Sequence, residues 1–336
     1  MKILLLADIH FGIRSDSEYF RKKQLKFFDD LRQYIHNHRE ITQIAILGDI
    51  MDKRKSVDFQ TMGLAKMCID NLSITVPRNI IVGNHDSYFK NTLQLNSVDL
   101  LFNNGNPYVN VYSKPITVDN ICYIPWICDD NYDACMKEIE TTDADVCFGH
   151  FEFSGCQFNK HTVAKTGMDT GLFKKFKSVI TGHYHIKSDN GNIHYLGSPI
   201  QYTWDDYNTK KGFHIFDTET HKLEFIENKD TIFRIYNYGD EIDDCSDCIV
   251  RVYCDDSIGQ KDVDKFVNKI KEQNPHDIKV IFNTTKKDIV KDEDIVCVDT
   301  LQSMTSYSGY YISEDMDESK MNNIIDIVYK EAINLK

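Results

Sequence analysis

The sequence lacks any apolar run of the roughly 18 residues that a membrane-spanning helix needs. Met1 leads directly into a strand-like apolar pattern instead of a basic segment followed by a secretory apolar core. We therefore expect a protein that is neither inserted in a membrane nor secreted. The expected location is the cytoplasm.

An excess of positive charge is also missing. The 336 residues include 39 Lys and Arg against 52 Asp and Glu, which gives a formal net charge of −13. Proteins that coat DNA without specificity neutralise its phosphates with lysine and arginine, so this charge argues against such a function. The acidity lies mostly late in the chain, since residues 239–336 hold 12 basic and 22 acidic residues. The part before Gly239 is close to neutral.

Paired cysteine motifs are absent as well. The chain has ten cysteines but a single C-x-x-C, formed by Cys245 and Cys248, without a second pair at zinc-finger spacing. In a cytoplasmic chain of this length, ten cysteines predict reduced, mostly buried thiols and no disulfide framework. We interpret Cys245 and Cys248 as packing at the start of a strand, with metal or redox use as the alternative.

Strand and helix patterns alternate in the first part of the chain. Apolar residues at helical spacing in 17–38 and 57–72 separate strand-like runs at 2–6, 44–47 and 79–82. This order predicts a parallel sheet with right-handed crossovers. Short strand-like runs in 186–227 predict a second sheet. The predicted fold class is therefore α/β, a two-sheet sandwich flanked by helices.

The length of the chain allows more than one domain. We predict a first domain over residues 1–238, because the composition turns polar and acidic after that point. A β-α-β pattern predicts a small α/β domain over 239–285. Residues 286–336 form a C-terminal segment that ends in an apolar stripe at helical spacing.

Polar side chains follow five of the short apolar runs. Because the carboxyl ends of strands in open α/β sheets are where ligands bind, we expect these side chains to lie together. They supply aspartate, asparagine and histidine without sulfur, a set suited to Mn²⁺, Fe or Zn²⁺. The five motifs are Asp8-x-His10, Gly48-Asp49-x-x-Asp52, Gly83-Asn84-His85-Asp86, Gly149-His150 and Gly182-His183-x-His185.

Two divalent ions about 4 Å apart can hold both the attacking and the leaving oxygen of a phosphoester. Such a pair is best held when one carboxylate is shared between the ions. Asp49 is the natural candidate, because Gly48 lets the backbone turn sharply beside it. Any one of these histidines taken alone is more simply explained as a core residue, so the prediction depends on the whole set.

In this order and spacing, the five motifs resemble those of the calcineurin-like metallophosphoesterases. Within that superfamily the chain resembles SbcD-type nuclease subunits of DNA-end-processing complexes and the recombination endonuclease subunits of large tailed phages. Residues 124–126 (Ile-Pro-Trp), 197–199 (Gly-Ser-Pro) and 212–217 support this narrower resemblance. The motifs that carry the resemblance lie within about residues 1–217, and beyond Gly239 the resemblance is weaker.

The resemblance implies roles for individual residues. One ion would be held by Asp8, His10, Asp49 and His185, and the other by Asp49, Asn84, His150 and His183. His85 would act as the acid that stabilises the transition state or protonates the leaving oxygen. Asp86 would orient His85.

The resemblance also implies an activity and partners. The expected function is a Mn²⁺-dependent DNA nuclease, with single-strand endonuclease and 3′–5′ double-strand exonuclease activities. The expected partners are DNA, an SbcC-like coiled-coil ATPase subunit and a second copy of the nuclease. Residues 239–285 would cap the DNA cleft and 286–336 would dock the ATPase, in the host-cell cytoplasm if the chain is phage-encoded.

Several alternatives remain open at this point. The chain could be a phosphoesterase for phosphoproteins or small phosphodiesters, although the G-D-x-x-D motif lacks the Arg-Gly that usually follows it in protein phosphatases. It could also be a scaffold that has lost its metals. Asp52 could hold a neighbouring histidine or position DNA. Lys53, Arg54 and Lys55 could contact a DNA phosphate or simply form a solvated loop.

Overall fold

The computed structural model describes residues 1–103, 105–160 and 162–283, and within them the strands form three sheets. The strands are β1 (Lys2–Leu6), β2 (Ile41–Leu47), β3 (Arg78–Ile81), β4 (Val109–Tyr112), β5 (Ile116–Val118), β6 (Ile121–Ile124), β7 (Val146–His150), β8 (Ser178–Gly182), β9 (Ser188–Asn190), β10 (Ile193–Tyr195), β11 (Lys211–Asp217), β12 (Lys222–Asn228), β13 (Phe233–Asn237), β14 (Ile249–Asp255) and β15 (Asp277–Asn283). The helices are α1 (Ile13–Asp16), α2 (Glu18–Asn37), α3 (Phe59–Asp70), α4 (Ser97–Phe102), α5 (Tyr132–Thr141) and α6 (Gln260–Lys271), with 3-10 turns at Thr170–Lys175 and Trp204–Asp206.

The first sheet has the order β12-β11-β1-β2-β3-β4. Strands β1 to β4 are parallel, and the predicted helices α2 and α3 connect them along the chain. Helix α3 begins where the Asp58 side chain accepts hydrogen bonds from the backbone N–H groups of Gln60 and Thr61. The parallel sheet predicted for this part of the chain is confirmed.

The second sheet has the order β5-β6-β7-β8-β10-β9. The two-sheet sandwich flanked by helices is confirmed, but residues 186–227 do not build the second sheet as a unit. β10 pairs with β8 in the second sheet, whereas β11 pairs antiparallel with β1 and carries β12 into the first sheet. Alternating polar and apolar residues predict that a segment is a strand, but they do not predict which sheet the strand joins. This is why strands of 186–227 were assigned to one sheet although they belong to two.

The two faces of each strand enter different cores. Along β1, Ile3 and Leu5 point between the two sheets, while Leu4 and Leu6 pack against the helices. Helix α5 covers the outer face of the second sheet through Cys135 and its apolar neighbours. Both faces of the central strands are thereby buried, which is why these strands are continuously apolar.

A smaller α/β unit follows, with three parallel strands in the order β13-β14-β15 and helix α6. Its sheet starts at Phe233, so it includes residues that the predicted domain limit of 238 had assigned to the first domain. Cys245 and Cys248 pack in its core with Val250 and Phe266. The predicted C-terminal segment, 286–336, lies outside the described residues, as do residues 284 and 285.

Contacts with helix α2 hold the smaller unit against the sandwich. Lys23, which is buried, places its ammonium 3.2 Å from Asp230 and 3.0 Å from Asp247. The Tyr19 ring stacks on His276 with 3.9 Å between ring centroids. Across the described ranges, no helix combines the length and the apolar character needed to cross a membrane.

Candidate metal centre

The carboxyl ends of five strands meet at one end of the sandwich, and three of these strands belong to the first sheet and two to the second. The backbone N–H of Asp8 donates to the carbonyl of Gly48 at 3.1 Å, which joins the ends of β1 and β2. The backbone N–H of His183, from the second sheet, donates to Asp8 Oδ1 at 2.9 Å. The side chains predicted from separate motifs therefore share one site.

Two glycines allow this close approach. A Cβ atom on Gly83 would lie 2.2 Å from Asp49 Oδ1, and one on Gly48 would lie 2.6 Å from His150 Nδ1. Gly48 also has a φ of +84°, which is a costly conformation for residues with a Cβ. Each glycine of these two motifs therefore makes room for the aspartate or histidine of a neighbouring motif.

Four of the predicted ligands have left-handed backbone conformations. The φ angles are +54° for Asp8, +49° for His10, +53° for Asp49 and +94° for His183. Each such residue costs about 1–3 kcal/mol and persists only where its surroundings impose the conformation. Strain concentrated in this way is typical of functional sites.

Residues outside the predicted motifs hold the first motif in place. The Tyr202 hydroxyl donates to the carbonyl oxygens of Asp8, at 2.9 Å, and of Ile9. Gln24 of helix α2 donates from Nε2 to the carbonyls of Ile9 and His10, at 2.8 and 3.1 Å. Neither residue was predicted from the sequence, because neither belongs to a motif of metal ligands.

The first group of possible ligands is Asp8, His10 and His185, whose ligand atoms lie within 4.8 Å of one another. Nε2 of His10 and Nε2 of His185 are 3.0 Å apart. Lys211, which is also buried, donates from Nζ to the His185 carbonyl at 2.6 Å and thereby fixes the backbone at this ligand.

The second group is Asp49, His150 and His183. Asn84 completes it, because its Oδ1 lies 2.9 Å from His150 Nε2 and 3.0 Å from His183 Nδ1. The Trp126 ring borders the group, with its centroid 5.1 Å from that of His183.

Asp49 lies between the two groups. Its Oδ2 is 3.3 Å from His150 Nε2 and 3.7 Å from His10 Nε2, so one carboxylate oxygen faces both sets. Its other oxygen accepts a hydrogen bond from the backbone N–H of His85 at 2.8 Å. This is the geometry that a shared ligand requires.

The charges of the site are strongly coupled. Burial favours a raised pKa for Asp49, but the neighbouring imidazoles, above all His150, overcome this and hold the pKa well below its usual range. Burial opposes the charge on His150, yet Asp49 raises the pKa of this histidine to about 9. Burial lowers the pKa of His183 and His185 well below the usual value, so both rings are neutral near pH 7 and have a lone pair available for a cation.

The donor atoms fit a cation. His150 Nδ1 faces the Leu47 carbonyl at 2.7 Å, and because a carbonyl only accepts, Nδ1 must carry a proton. In the neutral ring Nε2 then carries a lone pair and is an acceptor. It faces two further acceptors, Asn84 Oδ1 and Asp49 Oδ2. Three acceptors directed at one another are unfavourable unless a proton or a metal ion lies between them.

His85 lies beside this cluster but is held differently from the prediction. Its Nδ1 is 2.6 Å from the carbonyl of Asp52, which fixes the proton on Nδ1. Asp86 does not orient it. The buried Asp86 carboxylate accepts hydrogen bonds from the backbone N–H groups of Ile50, Met51 and Gly83, at 2.9, 3.0 and 2.9 Å. Asp86 therefore ties two ligand-bearing loops together, and a backbone carbonyl orients the imidazole.

Asp52 provides a further possible ligand. His10, Asp52 and His85 form a third group of the same kind, in which Asp52 Oδ1 lies 3.4 Å from His10 Nδ1. The role of Asp52 in holding a histidine stays a prediction, because His10 Nδ1 has no hydrogen-bond partner among the described residues. The Lys53 ammonium forms an ion pair with Asp16 at 3.1 Å.

Comparison with known proteins agrees with the fold and the site. The sequence profile of the family described as calcineurin-like phosphoesterase matches residues 1–187. The chain belongs to this family, and its fold and its clustered ligands define the class as a metal-dependent phosphoesterase.

Individual relatives narrow the comparison. The chain is 35% identical to exonuclease subunit 1 of Enterobacteria phage T4, over 99% of each chain. It is 23% identical to the SbcD subunit of the SbcCD nuclease of Staphylococcus epidermidis, over 66% of this chain and 67% of the relative. A putative phosphoesterase, 078R, of Invertebrate iridescent virus 3 is 26% identical over 61% and 59% of the two chains.

Proposed function

We propose that the protein is the nuclease subunit of a DNA-end-processing complex and hydrolyses DNA phosphodiesters with two divalent metal ions, in cells Mn²⁺. The observation that carries the proposal is the buried cluster in which Asp49 faces two ligand groups, with the His85 imidazole beside it. The names of the relatives from phage T4 and Staphylococcus, an exonuclease subunit and a nuclease subunit, support DNA as the substrate.

The proposed ligand sets share Asp49. Asp8, His10 and His185 would hold one ion with it, and Asn84, His150 and His183 would hold the other. Bound together, two such ions neutralise the charge that develops on a phosphodiester and activate water at neutral pH. Aspartate, asparagine and imidazole without sulfur suit Mn²⁺.

The protein's own contribution is orientation and proton transfer. The Asp52 carbonyl fixes the ring of His85, and burial lowers the pKa of this histidine, so the free ring is neutral near pH 7. A bound phosphodiester places negative charge against the ring, which favours the protonated form. His85 then donates this proton to the leaving oxygen.

The proposed activities are cleavage of single-stranded DNA and 3′–5′ degradation of duplex ends. The smaller unit would cap the DNA, and its attachment through Lys23 to helix α2 supports a fixed position beside the site. Residues 286–336 would dock a coiled-coil ATPase. The exposed Phe59, at 85%, supports a homodimer that forms through helices α2 and α3.

The function is tested by incubating the purified protein with Mn²⁺ and either end-labelled duplex and single-stranded DNA or a phosphopeptide. We expect DNA cleavage that EDTA abolishes and that a His85→Asn variant performs at a strongly reduced rate. Turnover of phosphopeptide without DNA cleavage would instead assign the protein to the phosphatases. A protein that binds no Mn²⁺ and cleaves neither substrate would be a scaffold.

The role of the ATPase is tested by repeating the assay with the coiled-coil subunit and ATP. We expect the partner to increase degradation of duplex ends, since opening a duplex requires energy that the nuclease alone does not supply. Equal rates on duplex with and without the partner would argue against this assembly.

A further inference from the structure

Two exposed aromatic rings lie next to the candidate metal centre. Tyr88 and Phe89 follow His85 and Asp86 after one intervening serine, and they are 36% and 46% exposed. Their ring centroids are 4.7 Å apart and the planes meet at 74°. Core packing does not account for large apolar rings that remain this exposed side by side, and such patches often mark binding sites.

The backbone around these rings is firmly held. The Ser87 hydroxyl is within 2.7 Å of the Phe89 carbonyl and 2.8 Å of the Thr92 carbonyl. The backbone N–H of Tyr88 donates to the Leu95 carbonyl at 2.9 Å. The loop 87–96 therefore presents the rings from a fixed framework, which lowers the entropy cost of binding a flat ligand.

Two lysines lie beside the rings, and the acidic group that contacts the same loop, Asp130, accepts a hydrogen bond from Thr92 Oγ1 at 2.8 Å. The ammonium of Lys55 lies 5.9 Å from the centroid of the Tyr88 ring, and Lys90, next to Phe89, is exposed. Residues 87–96 contain no aspartate or glutamate, although the whole chain has a net charge of −13. Aromatic rings flanked by lysines suit a ligand with a flat apolar face and a negative backbone.

The rings are also next to the reacting groups. His85 Nδ1 contacts the Asp52 carbonyl, and three residues later Lys55 lies over Tyr88, so the loops that follow β2 and β3 run side by side. A nucleotide whose phosphate reached His85 would thus have its neighbouring base within reach of these rings.

We propose that Tyr88 and Phe89, with Lys55 beside them, form a platform on which an unpaired base adjacent to the cleaved phosphate stacks. The inference depends on the proposed nuclease function and adds the class of substrate, namely strands or duplex ends whose terminal base is unpaired. Stacking on aromatic side chains is tolerant of sequence, because every base has a flat face.

The test compares binding of two fluorescent single-stranded oligonucleotides in EDTA, where cleavage does not occur. One has normal bases and the other has abasic sites throughout. The Tyr88→Leu/Phe89→Leu double variant keeps apolar side chains at both positions but removes the rings. Leu95→Ala, which alters an exposed apolar residue of the same loop, is the matched control, and Tyr88→Phe/Phe89→Tyr keeps both rings.

We expect the double leucine variant to bind the normal oligonucleotide about tenfold or more weakly than the parent, because each stacked base contributes to affinity. The parent and the double leucine variant should bind the abasic oligonucleotide with equal affinity. The Leu95→Ala control and the ring-preserving variant should bind both oligonucleotides with the affinity of the parent. Melting temperatures of all variants establish that they are folded.

Equal binding of the normal oligonucleotide by the parent and the leucine variant would overturn the platform. An equal loss on both oligonucleotides would also overturn it, since the rings would then not contact bases. A defect seen only with the ATPase subunit present would assign the rings to protein docking instead. A parent that binds the normal oligonucleotide better than the abasic one, but cleaves no DNA with Mn²⁺, would refute the nuclease function and leave the platform standing.

Discussion

His10 and His185 face each other through their Nε2 atoms at 3.0 Å, although 175 positions separate them in the chain. Two neutral imidazoles can satisfy this contact only if one of the nitrogens carries a proton or if a cation receives both lone pairs. Burial and the charge of His10 hold the pKa of His185 well below its usual range. The neutral ring of His185 therefore offers a lone pair, which a metal ion would occupy.

We expect Mn²⁺ to stabilise the folded protein and to bind with a stoichiometry of two ions per chain. At a free Mn²⁺ concentration 100 times the dissociation constant, each site adds about 2.7 kcal/mol to the free energy of unfolding, because the unfolded chain does not retain the site. Thermal melting with EDTA and with Mn²⁺ measures the shift, and calorimetric titration measures the stoichiometry. A parent protein that binds a single ion would contradict the paired arrangement.

Variants distinguish the shared ligand from the others. His185→Asn should leave one strong site, whereas Asp49→Asn should weaken both, because Asp49 Oδ2 faces both groups. His194→Asn is the control, since this histidine pairs with Asp189 away from the centre. If Asp49→Asn removed only one ion, Asp49 would belong to a single site.

Replacing His85 is expected to remove activity without removing metal. His85→Asn should lower the rate of DNA cleavage by about 10²- to 10⁴-fold, the usual contribution of a positioned acid or base. Its Mn²⁺ stoichiometry should stay at that of the parent. Because His10, Asp52 and His85 also form a possible ligand group, the loss of an ion in this variant would mean that His85 is a ligand instead.

The motifs predicted that these side chains lie together, because each motif combines a strand end with a polar residue. Asp49, Asn84 and His150 each follow a buried apolar run, and parallel strands bring such ends to one edge. The sequence could not reveal that Asp86 binds backbone N–H groups and leaves His85 to the Asp52 carbonyl. Those contacts depend on how two loops pack, which no local pattern encodes.

The same limit applies to the fold. The alternating patterns predicted the two sheets and most of their strands, but pairing between distant segments decides that β11 joins β1 across more than 200 residues. A related case is β13, which lies before the predicted domain limit of 238 but pairs in the sheet of the smaller unit. The sequence of β13 predicts a strand, but its pairing with β14 instead of a strand of the sandwich is set by long-range contacts.

The buried Lys211 is expected to be essential for stability. Its ammonium binds Asp206 Oδ1 at 2.5 Å, Ser198 Oγ at 2.9 Å and the His185 carbonyl. Lys211→Met leaves the buried Asp206 carboxylate with its backbone donors but without its ammonium partner, which costs about 3–5 kcal/mol. Lys210→Met is a matched control, because the ion pair of Lys210 with Glu227 is on the surface and contributes less than about 1 kcal/mol.

Urea denaturation of both lysine variants measures these changes. The Lys211 variant should also bind its His185-dependent metal ion more weakly, since the backbone at that ligand loses its donor. Equal destabilisation by the two substitutions would show that burial of the Lys211 charge does not matter.

The buried His214 is expected to make the protein sensitive to acid. Among the residues that the structure describes, its buried Nδ1 has no hydrogen-bond partner, and burial lowers the pKa of this histidine to about 3. Below about pH 6.5 His214 is protonated in the unfolded chain but stays neutral in the folded chain. The free energy of unfolding is therefore unaffected by His214 above pH 6.5 and decreases as the pH falls from 6.5 towards 3.

At pH 5 the loss from His214 alone is about 2 kcal/mol, because each pH unit below 6.5 changes the free energy of unfolding by about 1.36 kcal/mol. His214→Leu removes the titrating group and the unpaired nitrogen, so its stability should fall less than that of the parent between pH 7 and pH 5. Urea denaturation at both values measures the difference, with His36→Gln on the exposed side of helix α2 as the control. Parallel curves for the parent and His214→Leu would mean that His214 becomes protonated in the folded protein, and the acid sensitivity would then have to come from other groups.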